Sequence, residues 1–142
     1  MFFSADDSAT AGLLVVDETR LLAMTLDEQN ERIQIDVKEL YNASDIVAGV
    51  GDVARERLYW TDSGHNKIYT INSRYTVLQE FISGGISAVK SMAVDWVTGN
   101  LYWVDSTFGT IEVANLNSSH RAVVLSENIT KPNQIVVDAR HR

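Results

Sequence analysis

Cysteine is absent from the 142 residues, which removes disulfides, thiolate metal sites and thiol nucleophiles together. Proline occurs once, at Pro132. No apolar run approaches the roughly 20 residues a membrane-spanning helix needs; the stretch from Gly12 to Val16 is typical of the longest. Basic residues are outnumbered, 12 against 19 acidic, for a formal charge of −7. That sign disfavours nucleic acid and anionic membrane surfaces, which require a cationic face. The opening Met1-Phe2-Phe3-Ser4-Ala5-Asp6-Asp7 has neither the basic nor the apolar region of a signal peptide. Catalytic punctuation is missing as well. There is no Gly-x-Ser-x-Gly and no His-Glu-x-x-His, and Gly84-Gly85 lacks the spacing and lysine of a phosphate loop and reads as a turn.

What is present is a repeat. Leu58-Tyr59-Trp60-Thr61-Asp62 returns as Leu101-Tyr102-Trp103-Val104-Asp105, a step of 43 residues. The neighbours keep that step: Asp52 answers Asp95 and Asp138, Ile68 answers Ile111, and Asn72 answers Asn115. A period of about 40–45 residues is the size of one four-stranded propeller blade, so the expected fold class is all-β, a partial propeller. A lone β-sandwich gives no reason for such self-similarity.

Taken in order, residues 1–11 are polar and small, and are expected to form a disordered tail. The incomplete propeller then covers 12–142. A first, worn blade spans 12–37, with Leu14-Val15-Val16-Asp17 where later copies have aromatics. In it Arg32 to Val37 alternates polar and apolar, as a half-buried strand does. A complete blade covers 45–82, a second covers 91–125, and Ile135-Val136-Val137-Asp138 opens a fourth set as an inner strand at 134–138. An arc of about three blades leaves an apolar flank at each end. The chain is therefore expected to be a fragment or half of a closed ring, completed by further blades in cis or a second copy in trans.

Tyr59, Trp60, Tyr102 and Trp103 combine large buried area with one polar tip each, suiting the layer between stacked sheets. Asp62 and Asp105 end the aromatic strands, and Asp52, Asp95 and Asp138 end the inner ones. A catalytic acid is needed once per site, whereas these recur once per repeat. Their expected role is therefore structural, with short carboxylates accepting backbone N–H groups where strands turn. His65, His120 and His141 lie apart, without metal-ligand spacing. No cofactor is expected. Asn42, Asn117 and Asn128 each head an N-glycosylation triplet in a loop, a mild excess that points outside the cell.

Three stretches carry a family resemblance: Leu58 to Gly64, Met92 to Trp103, and Gly109 to Asn117. They resemble the YWTD repeat, the class B repeat of low-density lipoprotein receptors and their relatives, with the likeness extending over about 13–142. The resemblance implies a six-bladed propeller on the extracellular side of the plasma membrane or in endosomes. It implies a non-catalytic module that binds or releases a secreted protein or lipoprotein ligand. It also implies that the parent receptor alone supplies the membrane contact. Departures are the missing blades and cysteine-rich modules, the lost aromatics of the first repeat, and the absence of Pro-Asn between Ile86 and Ser91. Alternatives of another class are a structural propeller of the extracellular matrix and a calcium-dependent propeller hydrolase.

If strands run outward from the axis, the outer-to-inner links and the second-to-third turns share one face. That places His65, Asn66, Phe108, Lys90 and Lys131 as candidates for the ligand face. Glycans at Asn42 and Asn128 would stand on the same side.

Overall fold

The computed structural model describes the strands of residues 2–36 as backbone. It describes residues 46–52, 55, 57–72 and 78–140 in full. Twelve strands follow in order: β1 (Phe2–Ser4), β2 (Ala11–Asp17), β3 (Arg20–Thr25), β4 (Arg32–Asp36), β5 (Ile46–Asp52), β6 (Arg57–Asp62), β7 (Lys67–Asn72), β8 (Leu78–Ile82), β9 (Val89–Asp95), β10 (Asn100–Asp105), β11 (Thr110–Asn115) and β12 (Arg121–Leu125). Two four-stranded antiparallel sheets are described to their side chains, β5–β8 and β9–β12, each a simple meander. The backbone of β1–β4 pairs in the same order. Val, Ile and aromatic runs broken by Asp, Gly and Asn turns produce this pattern.

The 43-residue step governs the fold down to its irregularities. Each strand of the second sheet begins and ends 43 residues before its counterpart in the third, so Ile46–Asp52 answers Val89–Asp95 and Leu78–Ile82 answers Arg121–Leu125. The bulges recur too. Asp62 pairs with Ile46 while Thr61 pairs with Ala48, leaving Val47 unmatched. Asp105 pairs with Val89 while Val104 pairs with Ser91, leaving Lys90 unmatched. Phe81 and Val124 are left over in the same way at the outer edges. A bulge bends its strand and increases local twist, so the same bulges give successive sheets the same shape.

The core lies between these two sheets. Tyr59, Ile68, Phe81, Ile86, Leu101, Trp103 and Ala114 belong to one buried cluster. Trp60 and Trp103 are 1% and 0% exposed. Tyr59 meets Phe81 edge-on at 5.2 Å, and Trp60 stacks on Tyr69 at 5.6 Å. β5 lies against β9, which brings the inner strands together. Small residues on the inner strand (Ala48, Gly49, Gly51) allow that approach.

Two expectations are corrected. Phe2–Ser4, expected within a disordered tail, forms β1 and pairs with Leu13, Gly12 and Ala11. Adjacent phenylalanines favour a strand, and β2 offers the ladder. Residue 1 and residues 5–10 lie outside the described residues. Second, Ile135 to Asp138 joins no strand ladder. The backbone of Ile135 instead meets the Ser91 hydroxyl of β9, its N–H donating at 3.3 Å and its carbonyl accepting at 3.4 Å. A strand needs a hydrogen-bonded neighbour. The segment is thus docked beside β9, where an inner strand would lie, without a second strand to pair with.

Candidate functional site

The links between sheets and the second-to-third turns meet at one end of the strands. The Asp105 carboxylate organises this meeting. It accepts the N–H groups of Ser87 at 2.7 Å and Ala88 at 3.2 Å from the link, and those of Thr107 at 3.0 Å and Phe108 at 3.1 Å from its own turn. Ser106 returns a backbone hydrogen bond of 2.9 Å to the Ala88 carbonyl. Gly109, at φ +63°, approaches the Ile129 carbonyl of the next link so closely that a Cβ would stand 3.4 Å from that oxygen. The 106–109 turn is thereby held against the links on either side.

This end carries the candidate ligand residues. Phe108 is 55% exposed although large and apolar. Lys90 lies on the β9 bulge and is exposed, which aims a cation out of the ladder. Lys131, exposed and at φ 53°, sits on the link after β12, with Asn128 (φ 59°) three residues earlier. His65 and Asn66 occupy the equivalent turn of the preceding sheet, Asn66 at φ 51°. His65 is not free: its Nδ1 lies 2.7 Å from Asp62 Oδ2, and Asp62 Oδ1 accepts the Gly64 N–H at 2.9 Å.

The opposite end holds the inner-strand carboxylates. Asp95 accepts the N–H groups of Val97 at 3.1 Å and Thr98 at 3.2 Å, and the Thr98 hydroxyl. Asp52 pairs with Arg55 at 3.2 Å, and Arg55 lies against Gly99 (φ +73°), where a Cβ would collide with its guanidinium. Asp138 accepts the Arg140 N–H at 3.0 Å. Asn117 is also at this end, exposed in the β11–β12 turn, its N–H donating to Asn115 Oδ1 at 2.9 Å. Asn42 and His141 lie outside the described residues.

Sequence reasoning missed the cluster around Arg121. Its Nη1 donates to the Gly84 carbonyl at 2.6 Å and its Nη2 to the Gly85 carbonyl at 3.0 Å. Nη2 also meets Glu112 at 2.8 Å, and the guanidinium carbon stands 5.5 Å from the Trp103 ring centre. A departure from the repeat carried the signal: Glu112 and Arg121 stand where the second sheet has Tyr69 and Leu78.

Ionisation departs from ordinary values at three described groups. Burial pushes the Tyr59 hydroxyl above its usual 10.0, and the neighbouring Thr70 hydroxyl opposes the rise without reaching hydrogen-bond geometry. Burial likewise raises Tyr69. Lys67 is raised by its hydrogen bond to Glu80. Among the described residues no three His, Asp or Glu side chains gather as a metal site.

The two four-stranded meanders, with the Asp105 carboxylate locking the link between them, have the build of β-propeller blades. Residues 99–139 match the low-density lipoprotein receptor repeat class B. Over 86 residues, 59% of the chain, the sequence is 35% identical to low-density lipoprotein receptor-related protein 5 of Mus musculus, and that match covers 5% of the mouse protein. In fold, the chain is similar to a structure of a nidogen/laminin complex, with a TM-score of 0.77 at 21% identity, covering 90% of this chain and 49% of the other. It is also similar to AztD of Citrobacter koseri, with a TM-score of 0.65 at 15% identity, covering 95% of this chain and 36% of that one. The chain thus spans only a small part of the receptor-related protein and about half of the chain in the complex. The likeness to this class B repeat family lies in residues 99–139.

Proposed function

We propose that this chain is a protein-binding propeller module from the ectodomain of an endocytic or signalling receptor, working on the extracellular side of the membrane. The carrying observation is Phe108. It stands 55% exposed on a turn whose backbone Asp105 holds, and Lys90, Lys131 and the His65–Asn66 turn belong to the same end of the strands. An exposed aromatic on a rigid platform, rimmed by polar side chains, is the composition of a binding hot spot. The partner is a secreted protein or lipoprotein. In this reading β1–β4 is a first blade, the three blades belong to a six-bladed ring, and the remaining blades, in cis or from a second copy, cover the outer flank of β9–β12. The triplets at Asn42, Asn117 and Asn128 are its glycosylation sites.

The test is binding of the full chain to a panel of secreted proteins, laminin and low-density lipoprotein among them, by interferometry. Binding should weaken at least about tenfold in Phe108→Ala and be unchanged in Trp96→Ala, which alters an exposed aromatic at the opposite end. Loss through Trp96 and not Phe108, or no binding at all, contradicts the proposal.

A further inference from the structure

At the end opposite Phe108, an open groove of about 650 Å³ runs between the second and third sheets. One face of the second sheet builds it. Tyr59 pairs with Thr70 and Thr70 with Gln79, so these three side chains form a row across β6, β7 and β8. Arg57 precedes Tyr59 by two residues and joins the same face, because strand side chains alternate. The β11–β12 turn, through Asn117 and Ser119, closes the other side.

Among the described residues the groove holds one positive charge without a carboxylate partner. Arg55 is spent on Asp52 at 3.2 Å, and Glu80 is neutralised by Lys67 at 2.5 Å. Arg57, half-buried, meets among the described residues only a neutral amide, Gln79 Oε1, at a long 3.5 Å. Beside it the Thr70 hydroxyl, in a residue 4% exposed, has the Tyr59 hydroxyl as a polar neighbour but reaches no partner at hydrogen-bond geometry among the described residues. A buried hydroxyl without a partner is costly, and a guanidinium fork is matched by a carboxylate. We infer that this groove binds one carboxylate, an aspartate or glutamate side chain of a protein partner, with Arg57 holding its charge and Thr70 donating to it. This rests on the protein-binding reading above but concerns a second, separate surface.

The probe is N-acetyl-glutamate amide, with N-acetyl-glutamine amide as the neutral control, titrated into the full chain while Arg57 Nε–H and the Thr70 amide are followed by NMR. Saturable shifts are expected at both, with half-saturation on the order of millimolar, and none with the glutamine analogue. Arg57→Gln should abolish them. Gln79→Glu should abolish them too, because it supplies the carboxylate from within the groove, and its otherwise unchanged spectrum reports an intact fold. Shifts that do not saturate, that match those at exposed Arg140, or that persist in Gln79→Glu overturn the inference, as does the absence of any response. Interferometry partners lost through Phe108→Ala but retained in Gln79→Glu leave the first reading standing whatever the titration gives.

Discussion

Phe81 and Val124 occupy the same bulged position in successive sheets, yet Phe81 is 9% exposed and Val124 54%. Ile82 and Leu125, one residue on, differ in the same way, at 4% and 41%. Chemistry does not separate them; a neighbour does. The outer part of the second sheet packs on the third, while the corresponding part of the third faces no described sheet. Position in the arc therefore decides which repeated residue stabilises the chain.

The first prediction follows. Phe81→Ala should destabilise the chain by about 3–5 kcal/mol, as for a large buried aromatic, whereas Val124→Ala should stay within about 0.5 kcal/mol. Denaturant unfolding of each variant measures both.

Arg121 holds Glu112 and the Gly84–Gly85 link together over Trp103. Removing it leaves Glu112, whose side chain is 8% exposed, without its partner. Arg121 is itself 30% exposed, so solvent screens part of the loss. Arg121→Ala should cost about 1–2 kcal/mol. Arg121→Lys should recover less than half of that, because an ammonium cannot serve two carbonyls, a carboxylate and a ring face in one plane. A double-mutant cycle with Glu112→Gln isolates the pair.

Alkaline pH gives a third test. Burial holds the Tyr59 hydroxyl above its ordinary 10.0, so above that pH the unfolded chain loses this proton while the folded chain keeps it. The unfolded state then binds fewer protons, and stability falls as pH rises from about 10 toward the folded value. Tyr69, raised for the same reason, adds to the slope. Followed from neutral pH to above 10, the unfolding midpoint of wild type should fall relative to that of Tyr59→Phe. A constant gap contradicts the assignment.

Much of this architecture was legible because the repeat encodes it locally. Leu58 to Asp62 and Leu101 to Asp105 fix the blade period, and the turn-forming carboxylates mark strand ends. Three features were not. β1 depends on pairing between Phe2–Ser4 and β2, a relationship that composition alone does not carry. The ladder expected at Ile135–Asp138 requires a partner strand, which periodicity does not supply. The groove at Arg57 arises because Tyr59, Thr70 and Gln79 align across three strands, and their register is visible only once the sheet is paired.

The central claim is that the β9–β12 sheet locks the link that leads into it, and amide hydrogen exchange at Ser87 and Ala88 tests this most directly. Both lie outside any ladder, yet both donate to Asp105. The account predicts protection comparable to that of strand amides in the wild-type chain, lost selectively in Asp105→Ala. Exchange of these two amides at open-loop rates in the wild-type chain would contradict it.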